Sequence, residues 1–246
     1  MKKSMIAALF AAILASATQL HAQSSPTAPG PGDGDWLKNV WAIEVGFGEI
    51  PFLSGSFKPS VSFGYHINQY VYVGWVVQLR DILERGTESF NARNTGLGHI
   101  TGTREVTGIR SLLGARIRPH RYAPFLSVGI LFNGSDREEM RFGDAPRPIG
   151  DNIYEGGLTV VQTRPYAIRP ALGLGYGVQF KNGFTFSAEM TGAFFLPAPS
   201  PDIQITHEGA VSAADKTRLA SHMKQEFKAN FHNRYHLFNI GAGYVW

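Results

Sequence analysis

Eight segments of this chain repeat one pattern, in which large apolar side chains occupy every second position and small or polar ones stand between them. Period two is the mark of a strand with two different faces. In the first segment Trp41, Ile43, Val45 and Phe47 oppose Ala42, Glu44, Gly46 and Gly48. In the second, Phe57, Val61, Phe63 and Tyr65 oppose Lys58, Ser60, Ser62, Gly64 and His66. The third sets Val71, Val73, Trp75, Val77 and Leu79 against Tyr72, Gly74, Gln78 and Arg80. The fourth sets Ile109, Leu113, Ala115 and Ile117 against Arg110, Gly114, Arg116 and Arg118.

The second half continues the code. Tyr122, Leu126, Val128, Ile130 and Phe132 oppose Ala123, Ser127, Gly129 and Asn133. Ile168, Leu172, Leu174, Tyr176, Val178 and Phe180 oppose Arg169, Gly173, Gly175, Gly177 and Gln179. Phe184, Phe186, Ala188, Met190 and Phe194 oppose Thr185, Ser187, Glu189 and Thr191. The last segment sets Phe238, Ile240, Ala242, Tyr244 and Trp246 against Asn239, Gly241 and Gly243. Each run is about ten residues, the length a tilted strand needs to cross a bilayer. A soluble sandwich also alternates, but its polar face meets water and carries many Lys and Glu. Here only 17% of residues are charged and 28 are Gly, which suits the crowded interior of a narrow barrel.

The connections alternate as well. Short turns fall at 67–69, 119–121 and 181–183; long connections fall at 49–56, 81–106, 134–166 and 197–234. Tight periplasmic turns and long outer loops are the rule for outer-membrane barrels, and the first long connection is short for its class. Tyr65, Tyr122, Phe180, Phe184, Tyr244 and Trp246 fall at strand ends beside the short turns or the terminus. Phe47, Phe57, Phe132 and Phe194 fall beside the long loops. Together they form two aromatic girdles, one for each interface. The expected fold is all-β: an eight-stranded antiparallel transmembrane β-barrel spanning residues 36–246.

The N-terminus reads as a cleaved signal peptide over residues 1–22. Lys2 and Lys3 precede an apolar run over residues 5–15, and Leu20, His21 and Ala22 form the cleavage site. The run is well short of the roughly 20 residues a helical span requires. Removing both lysines lowers the formal charge from +4 to +2, so the basic balance gives little support for nucleic-acid binding. Residues 23–35 form a Pro/Gly linker. Asp33 and Asp35 do not make a calcium loop, because Leu37 holds a ligand position and Lys38 stands where the sharp turn needs Gly. With no cysteine, disulfides and thiolate chemistry are excluded.

The final strand ends on Trp246 with Ile240, Ala242 and Tyr244 at alternating steps before it. This resembles the terminal signal by which outer-membrane barrels are recognised for assembly. The whole plan resembles the small eight-stranded outer-membrane barrels that include the membrane domain of outer membrane protein A. The resemblance implies outer-membrane lipid and the barrel assembly machinery as partners, a monomer, and no cofactor or metal. It says little of function, because such barrels host many roles.

Four inward charges, Glu44, Glu189, Arg110 and Arg116, form a candidate lumen cluster. Ions in a narrow barrel are costly unless paired; strand phase puts all four inside, and mid-strand position puts Glu44, Glu189 and Arg110 near one depth with Arg116 lower, so the glutamates are expected to face Arg110 first and Arg116 second. The resemblance implies a charged gate in a pore; the alternative is a static plug. Some similar barrels modify lipid A, one group with His and Ser two apart on the lipid-facing wall. None of His66, His99, His120, His207, His222, His232 and His236 is followed two residues later by Ser, and no nucleophile–base pair is visible. No catalytic residue is therefore assigned.

In the third long connection, Asp136, Glu138, Glu139, Asp144, Asp151 and Glu155 mix with Arg137, Arg141, Arg147 and Arg164, and are read as solvated. The last loop predicts a helix, with Ser212 and Asp215 as a capping pair and a stripe of Leu219, Met223, Phe227 and Phe231. The functional expectation is a structural or surface-interaction role through the outer loops, toward an unidentified extracellular ligand. The alternatives are a narrow pore for ions or small solutes and, behind it, a lipid A-modifying enzyme.

Overall fold

The computed structural model describes residues 41–48, 57–86, 89–93, 95–120, 123–180 and 182–246. The signal peptide, the linker, the first long connection and Tyr122 lie outside the described residues. Eight antiparallel strands make the wall: β1 (Trp41–Gly48), β2 (Lys58–His66), β3 (Val71–Gln78), β6 (Arg110–Ile117), β7 (Phe125–Asn133), β12 (Ala167–Gln179), β13 (Phe184–Gly192) and β15 (His236–Val245). They close into a barrel in the order β1-β15-β13-β12-β7-β6-β3-β2.

Closure is made by the last strand on the first. Ala42 to Phe47 pair with Val245 to Ile240, and Trp41 and Trp246 exchange backbone hydrogen bonds of 3.1 and 3.0 Å. The seam is tight. A Cβ on Gly46 would sit 2.0 Å from the Ile240 carbonyl oxygen, and one on Gly243 2.0 Å from that of Ile43, so both positions require glycine. The strand phases follow the alternation. Val45, Trp75 and Leu174 are 63%, 53% and 66% exposed on the outer wall, whereas Glu44, Ser62, Ser127, Ser187 and Asn239 are buried inside. A continuous apolar belt of this kind is stable only in lipid.

The three later long connections are not irregular. They add β4 (Asp81–Arg85), β5 (Ile100–Thr107), β8 (Asp136–Phe142), β11 (Leu158–Arg164) and β14 (Asp202–His207), which form a second, five-stranded sheet in the order β14-β11-β8-β5-β4. A short hairpin, β9 (Arg147–Ile149) with β10 (Asn152–Tyr154), lies between β8 and β11. Four strands of this sheet continue a barrel strand across a two-residue break, at 79–80, 108–109, 134–135 and 165–166. Register aligns the breaks in one row: Arg110 faces Gln78 and Asn133, and Ala167 faces Asn133. At this row the buried face changes parity. Leu131 and Asn133 are buried below it, and Glu138, Met140 and Phe142 above it. Backbones nearly touch there, since a Cβ on Gly108 would meet Gly134 at 2.7 Å.

The code also inverts at the break row. Above it the buried face is the apolar one, with Met140, Phe142, Leu158 and Val160 packed on Ala92, Ile149, Leu219 and Met223. The sheet is thus a platform with a water-soluble kind of core, and the charges of 134–166 are not all solvated. Glu138, Arg147 and Arg164 are buried, because strand alternation turns every second residue inward.

The expected helix of the last loop is α2 (Ala213–Ala229); α1 (Phe90–Arg93) is one turn before β5. Ser212 caps α2 by accepting from the Asp215 N–H at 3.1 Å. Leu219, Met223 and Phe227 are buried, whereas Phe231 lies past the helix end and is half-exposed, because Asn230 is extended (φ −80°, ψ 120°). The Asp215 carboxylate accepts from Tyr154 (2.6 Å), Asn152 (2.8 Å) and Ser212 (2.9 Å). The Tyr154, Asn152 and Ser212 hydrogen bonds hold its pKa down at about 2, from an ordinary 3.8. A depressed carboxylate contributes stability that is complete above its unfolded value and lost as pH falls through the folded one. The protection factors of amides in the N-terminal turn of α2, corrected for intrinsic exchange, are therefore expected to hold down to about pH 4 and to fall between about 4 and 2, with Asp215→Asn already poorly protected at pH 7. Protection factors in the unmodified protein that do not change between pH 7 and 2 would contradict this.

Candidate functional site

Inside the barrel one guanidinium sits between two carboxylates. Arg116 of β6 reaches Glu189 of β13 through Nε and Nη2, both 2.9 Å from Oε2, and Glu44 of β1 through Nη1 at 3.4 Å. Hydroxyls on the neighbouring strands complete the set. Ser62 and Ser187 donate to Glu44 at 3.2 and 2.9 Å; Ser127 and Thr191 donate to Glu189 at 2.5 and 2.7 Å. The guanidinium carbon lies 5.1 Å from the ring centroids of both Tyr72 and Phe125. Each ion is thus charge-paired and hydrogen-bonded, which an interior of low dielectric requires. The triad carries a formal charge of −1.

Arg110 does not belong to it, which corrects the expectation that it faces Glu44 and Glu189. Arg110 is the first residue of β6, so six residues, roughly 20 Å of strand, separate it from Arg116. It meets Asp136 at 3.6 Å and donates to the His236 carbonyl oxygen at 3.2 Å. Arg164 shares Asp136 and donates to the Asn233 carbonyl oxygen at 3.2 Å. This second cluster ties the barrel to the platform at the row of breaks.

Between the two clusters lies an apolar layer. Val76, Leu112, Leu131 and Leu237 point inward and are buried with Ala171, Ala193 and Tyr235. Sequence reading missed them because they are apolar residues in the polar phase; that breach of alternation was itself the signal. Below the triad, toward the short turns, is a cavity of about 30 Å³ lined by Glu44, His66, Tyr72 and Arg116, among others. That is room for a water molecule or so. Side chains therefore fill the lumen at several heights.

On the outer wall, Trp41 stacks on Phe63 at 5.2 Å and meets Tyr65 edge-on at 4.9 Å, and Phe184 meets Tyr244 edge-on at 5.9 Å. Phe180 and Trp246 are exposed at the same end. At the other end Phe47 stacks on Phe57 at 5.5 Å, and Phe132 is exposed. Phe194 was expected on a strand, but β13 stops at Gly192. A Cβ there would lie 2.7 Å from the Tyr235 carbonyl oxygen, and the chain turns away through a Leu196 N–H to Ala193 hydrogen bond of 3.0 Å. Phe194 instead stacks on Phe231 at 5.2 Å. Ile240, Ala242 and Tyr244 share the outward phase of β15, with Trp246 directly after it. The outward Ser111 accepts the Trp75 indole N–H, and no hydrogen bond joins it to a histidine among the described residues.

No protein-family model matches the chain, and no curated protein sequence matches it. Among solved structures, CarO of Acinetobacter baumannii aligns with a TM-score of 0.54 and 13% identity over 86% of this chain and 100% of that one. Ail, the attachment invasion locus protein of Yersinia pestis, solved with the heparin analogue sucrose octasulfate, aligns at 0.35 and 11% over 85% of this chain and 99% of that one. A major outer membrane protein from Thermus thermophilus aligns at 0.37 and 12% over 85% and 100%. The likeness to CarO is one of fold. The closed eight-stranded barrel, its apolar outer belt and this likeness define the chain as having the fold of the small outer-membrane β-barrels.

The two ionic clusters give distinct expectations for double-mutant cycles on unfolding in lipid vesicles. Arg116→Met strands two buried carboxylates and is expected to cost about 3–5 kcal/mol, less where lumen water reaches them. Arg116→Met with Glu189→Gln should cost clearly less than the two singles added. Arg110→Met with Glu44→Gln should be additive within about 0.5 kcal/mol. Coupling of Arg110 to Glu44 would show that β6 is out of register.

Proposed function

We propose that this chain is an exported, monomeric outer-membrane protein that acts through the platform built by its long connections, as a surface-interaction or structural protein. The observation that carries the reading is the contrast between the two halves. The lumen is filled by the Arg116 triad and by Val76, Leu112, Leu131 and Leu237. The three later long connections, in contrast, form an ordered sheet with its own core and a helix packed on β14. Ordering that much chain outside the membrane costs conformational entropy with no gain for the barrel itself. A rigid scaffold that presents loops is the usual arrangement for recognition. The exposed face of the sheet carries Arg104, Arg137 and Arg141 beside Glu84 and Glu139, with Arg104–Glu84 at 3.0 Å and Arg141–Glu139 at 2.8 Å. A polar ligand or partner at the cell surface fits such a face.

Planar-bilayer recording tests this against the pore reading. The purified protein is expected to give no steady single-channel conductance, and a tag at Asp144 is expected to be labelled on intact cells while one at Asn182 is not. Steady, reproducible channels would transfer the function to the lumen; the reverse labelling would invert the topology.

The terminal strand fits recognition by the barrel assembly machinery, with Ile240, Ala242, Tyr244 and Trp246 as the outward signal. Deleting Trp246 removes one pair of seam hydrogen bonds, a cost of about 1–3 kcal/mol. Insertion should fall much further than that cost accounts for, with precursor or degraded chain in the periplasm. Normal amounts of heat-modifiable barrel from the deletion would remove Trp246 from the signal.

A further inference from the structure

The barrel wall is open on one side of β12. β12 is 13 residues long, and its partner β7 pairs with it from Ala167 to Gly175. On the other side β13 begins its pairing only at Leu172, opposite Gly192. Residues 167–171 therefore have a strand on one edge only. Pro170, which lacks a donor, falls within this stretch, as expected of an edge. Ile168 faces Phe132 of the girdle, so the notch lies at the depth of the interface beside the long loops. The notch is bridged above by the Tyr235 hydroxyl donating to the Pro165 carbonyl oxygen at 2.7 Å. Behind it lies the apolar lumen layer, against which Ala167 and Leu196 pack.

The rim of the notch is cationic and aromatic. On one side Arg169 is exposed and lies close enough to Tyr235 to act on it electrostatically. On the other, Arg234 donates to the Phe194 carbonyl oxygen and sits 5.2 Å over the Phe231 ring. The Nε of Arg234 is buried without an acceptor. Neither arginine has a carboxylate partner among the described residues. Tyr166 and Phe195 flank the notch and are 77% and 55% exposed. Two uncompensated cations beside exposed aromatics, at the depth of the headgroups, complement an anionic lipid.

We propose that the notch between β12 and β13 is a binding site for the phosphorylated headgroup of an outer-leaflet lipid, held by Arg169 and Arg234. Its acyl chains lie against Ile168, Leu172 and Phe195. The bound headgroup supplies acceptors both for the arginine donors and for backbone N–H groups on the unpaired strand edge. This rests on the membrane placement proposed above.

The test is native mass spectrometry of the full chain in phosphatidylcholine nanodiscs doped with about 10 mol % diphosphoryl lipid A. The unmodified protein is expected to retain the phosphorylated lipid. Arg169→Ala with Arg234→Ala should reduce retention at least about tenfold, while Arg169→Lys with Arg234→Lys restores much of it and heat-modifiability shows each barrel folded. Arg104→Ala with Arg137→Ala, on the platform, should leave retention unchanged. Equal loss from the platform pair, or no loss from the notch pair, would overturn the site. Displacement by millimolar inorganic phosphate would replace the lipid with a soluble phosphate. A chain that stayed outside the nanodisc would overturn the membrane placement and this proposal with it; an inserted barrel that held no phosphorylated lipid would overturn this proposal alone.

Discussion

Every backbone N–H and C=O that lies in hydrocarbon must find a partner within the protein, and the rest of this structure follows from that demand. The pairing of β15 with β1, ending in the exchange between Trp41 and Trp246, turns an open sheet into a ring. Once the ring is closed, side chains have two destinations. Those in one phase enter lipid and must be apolar. Those in the other enter a space so narrow that glycine and serine line much of it, and the few large residues there must pack against one another.

The interior answers that second condition twice. Arg116 is surrounded by Glu44, Glu189 and four hydroxyls, so no ion is left uncompensated. Val76, Leu112, Leu131 and Leu237 do the same work without charge. Four breaks then rotate the chain by one strand phase where lipid gives way to water. Apolar residues that faced outward below the row face inward above it, because the solvent outside has changed. One rule, that apolar groups avoid water, produces opposite patterns on the two sides of that row.

Much of this was legible in the sequence. Eight alternating runs, three short turns and a terminal aromatic were enough for the barrel and its phases, and the spacing of Leu219, Met223 and Phe227 with Ser212 was enough for α2. The depth of Arg110 was not legible. Phase is a property of one strand, whereas depth depends on the stagger between strands, which no single strand encodes. The platform strands were hidden because the two-residue breaks interrupt the alternation and the code then inverts. Glu138 and Arg164 read as solvated because charge in a long connection usually is; here their neighbours Met140 and Val160 show the buried phase. Of the candidate site, Glu44, Glu189 and Arg116 were placed inside by phase alone, while the apolar layer lay in the residues the alternation passed over.

The aligned breaks have a consequence for how such a protein changes over generations. The register runs unchanged through the row: Asn133 faces Ala167 below it and Asp136 faces Arg164 above it, as Arg110 faces Asn133 below and Val106 faces Arg137 above. A residue gained or lost inside one break would therefore set wall and platform out of step, whereas one gained or lost in the connection between β8 and β11 leaves both registers as they are. The breaks hold wall and platform to one common shear, and the room for change in length lies beyond the platform strands.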